Sequence, residues 1–156
     1  MTQDPLATLL EQAEAGRNQA LAALNQTRMR CDAAREQALQ LDTYRAEYEQ
    51  RWSTRFASGA ALEIVRCYQG FADRLEAAIT QQAQAVAQAQ SAQTQAGDLL
   101  SAHELRVASI RKLIERRAAA QRQAADRRDH LQADEASMRA AKGRADMSRA
   151  PRGVRQ

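Results

Sequence analysis

Small and apolar residues recur at alternating steps of three and four along the first third of the chain, with Glu, Gln, Arg and Asn between them. The positions are Leu6, Leu10, Ala13, Arg17, Ala20, Leu24, Thr27, Cys31, Ala34, Ala38, Leu41, Arg45, Tyr48 and Trp52. This spacing predicts a helix whose apolar side forms a coiled-coil seam. Asp4 followed by Pro5 is a typical helix start. The first helix is therefore predicted over about residues 5–53.

The pattern stops at about residues 54–60, where Ser58 and Gly59 give the strongest turn signal in the chain. It resumes in a second helix, predicted at about 61–142. The seam positions there are Val65, Tyr68, Ala72, Leu75, Ile79, Gln82, Val86, Ala89, Gln93, Ala96, Leu100, His103, Val107, Ile110 and Ile114. The last stretch, 144–156, has no apolar periodicity and is predicted to be a disordered basic tail.

A short break between two long amphipathic helices makes them antiparallel neighbours. The predicted fold is all-α: a two-helix antiparallel coiled-coil hairpin over residues 1–143, in which Tyr44 lies near Phe71. The second helix is the longer one. We expect its part beyond about residue 111 to overhang the hairpin without a partner helix.

Ala, Gln, Arg, Glu and Leu dominate the composition, whereas only 4% of the residues are aromatic and there are 6 Gly and 2 Pro. Such residues are strong helix formers, and this balance is typical of long helices rather than of a layered globular core. No apolar run approaches the roughly 20 residues that span a bilayer. The N-terminus lacks the pattern of a signal peptide. We therefore expect a soluble, cytoplasmic protein.

Charge is distributed unevenly, since residues 1–110 carry 10 Lys and Arg against 13 Asp and Glu, and residues 111–156 carry 13 against 6. The basic residues that open the second segment are Arg111, Lys112, Arg116, Arg117, Arg122, Arg127 and Arg128. They form either a solvated helix face or a surface for an acidic protein or phosphate, and charge alone favours the solvated face. Nucleic acid is not the expected partner, because neither a recognised motif nor any aromatic residue accompanies the arginines.

Motifs for catalysis or metal binding do not occur in the sequence. Cys31 and Cys67 have no metal spacing and are interpreted as reduced seam residues, with a disulfide as the alternative. His103 and His130 have no set of companion ligands. A two-helix rod also offers no concave pocket that would exclude water. We predict that the protein is not an enzyme and has no cofactor.

The aromatic residues are concentrated on either side of the predicted turn. Together with neighbouring positions they define two stripes at helical spacing: Gln37, Leu41, Tyr44 and Tyr48 before the turn, and Phe71, Leu75, Ala78 and Gln82 after it. Bulky residues could simply fill a wider seam near the turn, which is what spacing alone favours, or they could anchor a partner. The two interpretations, seam filling and partner binding, are both correct if one side of each helix is buried and the adjacent side is exposed.

The segment LDTYRAEYEQRWSTRFASGAALEIVRCYQGFADRLEAAITQQ, residues 41–82, resembles the FliJ family of flagellar export proteins and their type III secretion counterparts. The matching features are Tyr44 and Tyr48, the turn at Gly59, Tyr68 and Phe71, and then Leu75, Ala78 and Ile79. The Arg-rich second half, which ends in Asp134, Glu135 and Ala136, is also similar to the family. The resemblance covers essentially the whole chain.

The resemblance implies a non-enzymatic adaptor, similar in shape to the central stalk of rotary ATP synthases. FliJ proteins enter the ring of the hexameric export ATPase, FliI, with their terminal ends and promote its assembly and ATP hydrolysis. Their hairpin contacts the export gate protein FlhA, and they bind export chaperones. The gate-binding residues carry over to Gln37, Leu41, Tyr44, Tyr48, Phe71, Leu75, Ala78 and Gln82, although the best-known member has His at the last position.

The resemblance assigns the ATPase-binding end by position only. It would comprise the N-terminal region and seven basic residues: Arg111, Lys112, Arg116, Arg117, Arg122, Arg127 and Arg128. The family resemblance further implies a cytoplasmic protein that associates peripherally with the inner membrane at the export apparatus. Two alternatives fit the same pattern: the stalk of a virulence-type secretion system and a self-associating structural coiled coil. The stalk interpretation predicts a monomer when the protein is free.

Overall fold

The protein is an all-α helical hairpin. A computed structural model describes residues 4–150 and Gly153. Helix α1 spans Pro5–Ala57 and helix α2 spans Leu62–Ser148, with lengths of 53 and 87 residues. No strand occurs among the described residues. The predicted fold class, two long helices packed against each other with the second one longer, is confirmed.

Helix α1 begins as the sequence predicts. The side chain of Asp4 accepts a hydrogen bond from the backbone N–H of Leu6 at 3.2 Å, and Pro5 occupies the first helical position. The backbone N–H of Thr8 also donates to the Asp4 carbonyl at 3.2 Å. These bonds satisfy donors that the first turn of a helix otherwise leaves unpaired.

The turn between the helices is shorter than the sequence predicts, because α1 continues to Ala57 and α2 begins at Leu62. The backbone N–H of Gly59 donates to the carbonyl of Phe56 at 3.1 Å, and Gly59 has a φ of 89°. Only Gly adopts this left-handed conformation without strain, so it reverses the chain here. Residues 54–57 contain no helix breaker, which explains why the helix runs up to Ser58.

The chain divides into two units, Met1–Ala108 and Ser109–Gln156. In the first unit α1 packs antiparallel against the part of α2 that it contains, and every predicted seam position from Leu6 to Val107 is buried or half-buried. The buried ones are Ala13, Ala20, Leu24, Cys31, Leu75 and Val107, and Cys31 is fully buried. Because burial follows the heptad positions of both helices, the core of this unit is a narrow line of mostly small side chains.

The two helices of the first unit approach closely at Gly16. A Cβ atom built on Gly16 would lie 3.1 Å from both Cε1 and Nδ1 of His103 on α2. That separation is shorter than an ordinary van der Waals contact, so the His103 ring occupies the space that a side chain at position 16 would need. The glycine therefore accommodates the imidazole within the seam.

The second unit contains the remainder of α2 and is helical to Ser148. Every described residue from Ala120 onward is exposed. The sequence predicted a disordered tail from residue 144, but the helix continues because residues 144–148 include good helix formers and the first strong stop signal is Pro151. The rest of the predicted tail, 151–152 and 154–156, lies outside the described residues.

Candidate functional site

All aromatic side chains of the protein form one cluster beside the chain reversal. This aromatic cluster consists of Tyr44, Tyr48, Trp52, Phe56, Tyr68 and Phe71. The four residues from α1 follow at four-residue steps, which place them on one side of the helix. Elsewhere the seam is lined mainly by Ala, Leu, Val and Gln, so the bulk of the hairpin is concentrated at this end.

Tyr48 lies at the centre of the aromatic cluster. Its ring centroid is 4.6 Å from that of Phe71 and 5.4 Å from that of Tyr68, both on α2. It also contacts its own-helix neighbours, Tyr44 at 6.2 Å and Trp52 at 5.9 Å. Tyr44 reaches Phe71 edge-on at 6.2 Å, which confirms the predicted proximity of these two residues. Such ring pairs add stability beyond the apolar area that they bury.

The outer part of the cluster includes Phe56, a residue that the sequence had placed in the turn. Because α1 extends to Ala57, the Phe56 ring lies 5.2 Å from Tyr68 and 5.4 Å from Trp52. The guanidinium carbon of Arg55 lies 5.5 Å from the centroid of the Trp52 ring, within the range of a cation–π interaction. The four-residue step from Trp52 to Phe56 continues the helical pattern and is the sequence signal that places Phe56 in the cluster.

The predicted gate-binding stripe, defined as Gln37, Leu41, Tyr44, Tyr48, Phe71, Leu75, Ala78 and Gln82, is part seam and part surface. Gln37 and Tyr44 are exposed, the latter at 44%. Leu75 is buried, and the other five residues are half-buried. The stripe therefore has one edge inside the hairpin and the other open to solvent. Its two halves lie opposite each other where Tyr48 meets Phe71.

Gln82, at the end of the stripe, makes a structural contact across the seam. Its side-chain amide donates a hydrogen bond to the backbone carbonyl of Ala34 at 2.9 Å. A side-chain bond to a helical carbonyl fixes one helix against the other at this level. The amide is thus engaged within the hairpin.

One ion pair joins the two helices beside the aromatic cluster, and sequence reasoning did not find it. Arg45 contacts the carboxylate of Glu76 at 2.9 Å and that of Asp42 at 3.7 Å. The hydrogen bond and charge of Glu76 raise the pKa of Arg45 above its ordinary value. The heptad pattern places Arg45 in the seam but does not specify which acidic residue faces it.

The seven basic residues predicted to bind the ATPase are all exposed and lie in the second unit. Six of them form pairs eleven residues apart: Arg111 and Arg122, Arg116 and Arg127, Arg117 and Arg128. Successive helical residues turn by about 100°, so eleven residues complete three turns and each pair shares a side of α2. The three pairs point to different sides, so the charges surround the helix instead of forming one face.

Within the described residues there is no group of His, Cys, Asp or Glu arranged to hold a metal ion. Cys31 is buried in the seam as predicted, whereas the prediction is wrong for Cys67, which is exposed; the two cysteines are free and form no disulfide. None of the described helices has an apolar stretch that would suffice to cross a bilayer.

The model of the family described as flagellar FliJ protein matches residues 2–146. The chain belongs to the FliJ family. No curated protein and no solved structure gave a significant match. As a FliJ-family member, the chain is a protein related to flagellar export. The match includes the aromatic cluster, the stripe and the seven basic residues, all of which lie between residues 2 and 146.

Proposed function

We propose that this FliJ-family protein is a non-enzymatic adaptor of the flagellar protein export apparatus, working in the cytoplasm at the inner membrane. The family match over residues 2–146 is the observation that carries the proposal. In this role the protein binds the FliI-like export ATPase, the FlhA-like gate protein and export chaperones. Because the matched family is the flagellar one, we favour this machine over a virulence-type secretion system.

Gate binding is assigned to the exposed edge of the stripe. Tyr44 and Phe71 support this assignment, since their rings contact each other while 44% of the surface of Tyr44 remains open to solvent. Aromatic side chains held rigid by their neighbours make effective binding anchors, because little side-chain freedom is lost on association. Leu75 and Gln82 act by supporting the exposed residues from within the seam.

A binding assay with the cytoplasmic domain of the gate protein tests this assignment. Replacing Tyr44 with Ala should weaken binding by about tenfold or more, as loss of an aromatic anchor does. Leu39→Ala is the matched control, because Leu39 is an apolar residue of α1 that is 67% exposed and lies outside the stripe. Equal affinities for the two variants would contradict the proposal.

ATPase binding is assigned to the basic residues of the second unit. Exposed arginines on all sides of a helix can engage acidic groups from several directions, which suits a site surrounded by repeated subunits. Charge reversal of Arg122, Arg127 and Arg128 to Glu should abolish stimulation of ATP hydrolysis. The same reversal at Arg139, Lys142 and Arg144 is a charge-matched control in the same unit. Equal losses of ATPase stimulation in the two variants would show that only the net charge of the second unit matters, and would contradict the assignment to these residues.

The free protein is proposed to be a monomer, in contrast to a self-associating structural coiled coil. The seam positions of α1 and of α2 up to Val107 cover each other within one chain, so they are not available to a second copy. Sedimentation velocity at several concentrations should give a constant monomer mass. A mass that rises towards that of a dimer as the protein concentration increases would favour the self-associating coiled coil.

A further inference from the structure

The chain reversal presents an uncharged, exposed surface. We define the hairpin tip as residues 56–62, whose sequence FASGAAL contains no charged side chain. Ala57 through Leu62 are all exposed, and 66% of the surface of Leu62 is open. Ile64 follows on α2 and is exposed as well. A continuous group of apolar atoms is therefore left in water at the tip.

This apolar surface extends to the outer edge of the aromatic cluster. A shallow depression of about 390 Å³ is lined by Trp52, Arg55, Glu63, Ile64 and Cys67. It brings the exposed Ile64 next to the Trp52 ring, over which the Arg55 guanidinium lies at 5.5 Å. The indole, the guanidinium and the aliphatic side chain thus line one surface.

The charges that flank the tip are mainly positive. Arg51 and Arg55 lie on the last turns of α1, and Arg66 lies near the start of α2. Glu63 is the acidic residue in the same interval, residues 51–66. All three arginines are exposed. An apolar end with a basic border is complementary to a surface that is apolar inside and anionic at its boundary.

We infer that the hairpin tip inserts shallowly into a membrane surface that carries anionic lipids. Leu62 and Ile64 enter the boundary between headgroups and acyl chains, Trp52 lies at headgroup level, and the arginines contact lipid phosphates. The contact is reversible, because a few apolar side chains and charges give only weak membrane affinity. It is independent of gate binding, since Leu62, Ile64 and the three arginines lie outside the stripe.

The arrangement of the apolar residues favours lipid over a protein groove. A helix that binds in a groove presents anchors at spacings of three and four residues along one face. The exposed apolar residues here instead follow one another through the turn, from Ala60 to Leu62. Consecutive side chains at a chain reversal spread in several directions, which a fluid lipid surface accommodates.

Vesicle binding of the full-length chain tests the inference directly. The protein contains one tryptophan, Trp52, which lines the depression beside the tip, so tryptophan fluorescence reports on this end of the hairpin. Vesicles that contain phosphatidylglycerol should cosediment the protein and shift the Trp52 emission to shorter wavelength, whereas pure phosphatidylcholine vesicles should not. High salt should weaken the binding by screening the arginines. Equal binding to both vesicle types, or no binding to either, would overturn the proposal.

Two matched variants separate the tip from the rest of the surface. Leu62→Asp should lower the partition coefficient by about tenfold or more, because it removes the favourable free energy of burying one leucine side chain. It should leave the fold intact, since an acidic residue is favourable in the first turn of a helix. Leu39→Asp, which alters a residue of nearly equal exposure away from the tip, should bind like the unmodified protein. Full binding by Leu62→Asp would overturn the proposal.

The basic second unit could itself attract anionic vesicles, and a third variant tests this alternative. Arg122, Arg127 and Arg128 are replaced together by Gln. The inference expects the blue shift of Trp52 to persist in this variant. Suppose that the triple Gln variant loses both vesicle binding and the Trp52 blue shift, while Leu62→Asp binds normally. This result would assign the membrane contact to the second unit and overturn the role of the tip.

Discussion

Tyr48 and Phe71 meet across the hairpin with ring centroids 4.6 Å apart and ring planes tilted by 47°. Both residues belong to the aromatic cluster and to the stripe, so the rings that join the two helices also border the proposed gate-binding surface. Packing and recognition therefore share side chains here. Variants that test one of them must be compared with controls that test the other.

Phe71→Ala should reduce the free energy of unfolding by about 2 kcal/mol. The substitution removes a half-buried ring that contacts Tyr48 and Tyr44, and the expected loss is below that of a fully buried Phe. Urea denaturation followed by circular dichroism measures it. Leu39→Ala, at a 67% exposed position, should change stability by less than about 0.5 kcal/mol. Similar values for both variants would show that the cluster does not stabilise the hairpin.

Leu24→Ala should be more destabilising than Leu21→Ala, by about 2–4 kcal/mol in the same denaturation experiment. Leu24 is 6% exposed in the seam, whereas Leu21 is 44% exposed on the same helix. The two substitutions have the same effect on helix propensity, so the difference isolates burial. If Leu21→Ala were equally costly, the seam would not lie where the structure has it.

Gly70→Ala should stabilise the protein by about 0.5–1 kcal/mol, because alanine favours the helix and nothing lies within 4 Å of the added Cβ. Gly16→Ala should gain less or lose stability, since its Cβ meets the His103 ring at 3.1 Å. Adding His103→Ala to Gly16→Ala should recover the gain. Thermal unfolding of the three variants measures the difference, and equal gains at the two glycines would argue against the close approach.

A double-mutant cycle on Arg45 and Glu76 should give a favourable coupling energy that decreases as NaCl is added. The within-helix pair Arg35 and Asp32, at 3.9 Å, is the control and should couple more weakly. Glu76 raises the pKa of Arg45, so the charge of Arg45 and the stability it contributes persist until the pH rises past the ordinary Arg value. Unfolding free energies at pH 7 and pH 9 should show the same coupling. A salt-independent coupling would indicate a packing effect.

Heptad spacing predicted the hairpin and its seam from the sequence because burial in a two-helix coiled coil follows the helical period closely. Gly59 similarly located the chain reversal, since a positive φ there requires glycine. The turn signal at Ser58 and Gly59 did not place Phe56 in the helix, because such a signal marks the end of a helix only to within a few residues; the four-residue step from Trp52 to Phe56 does continue the helical pattern. Heptad spacing could not pair Arg45 with Glu76, since periodicity assigns residues to a face without fixing their cross-helix partners.

The candidate binding surfaces were predicted with less structural detail than the fold. The family resemblance supplied the residues of the stripe, but only coordinates could separate the exposed Tyr44 from the buried Leu75. Sequence likewise treated the seven basic residues as one cluster. The arrangement of six of them in three pairs on different sides of α2 follows from helix geometry.

The spacing of those arginine pairs limits what electrostatics can specify. A translation of about 16 Å along the α2 axis, three helical turns, superimposes Arg111, Arg116 and Arg117 on Arg122, Arg127 and Arg128. An acidic partner that recognises one triplet would find an equivalent triplet one step further along. Attraction by these arginines alone therefore does not distinguish the two axial registers, and contacts with other side chains, Lys112 and Asp129 among them, must select between them.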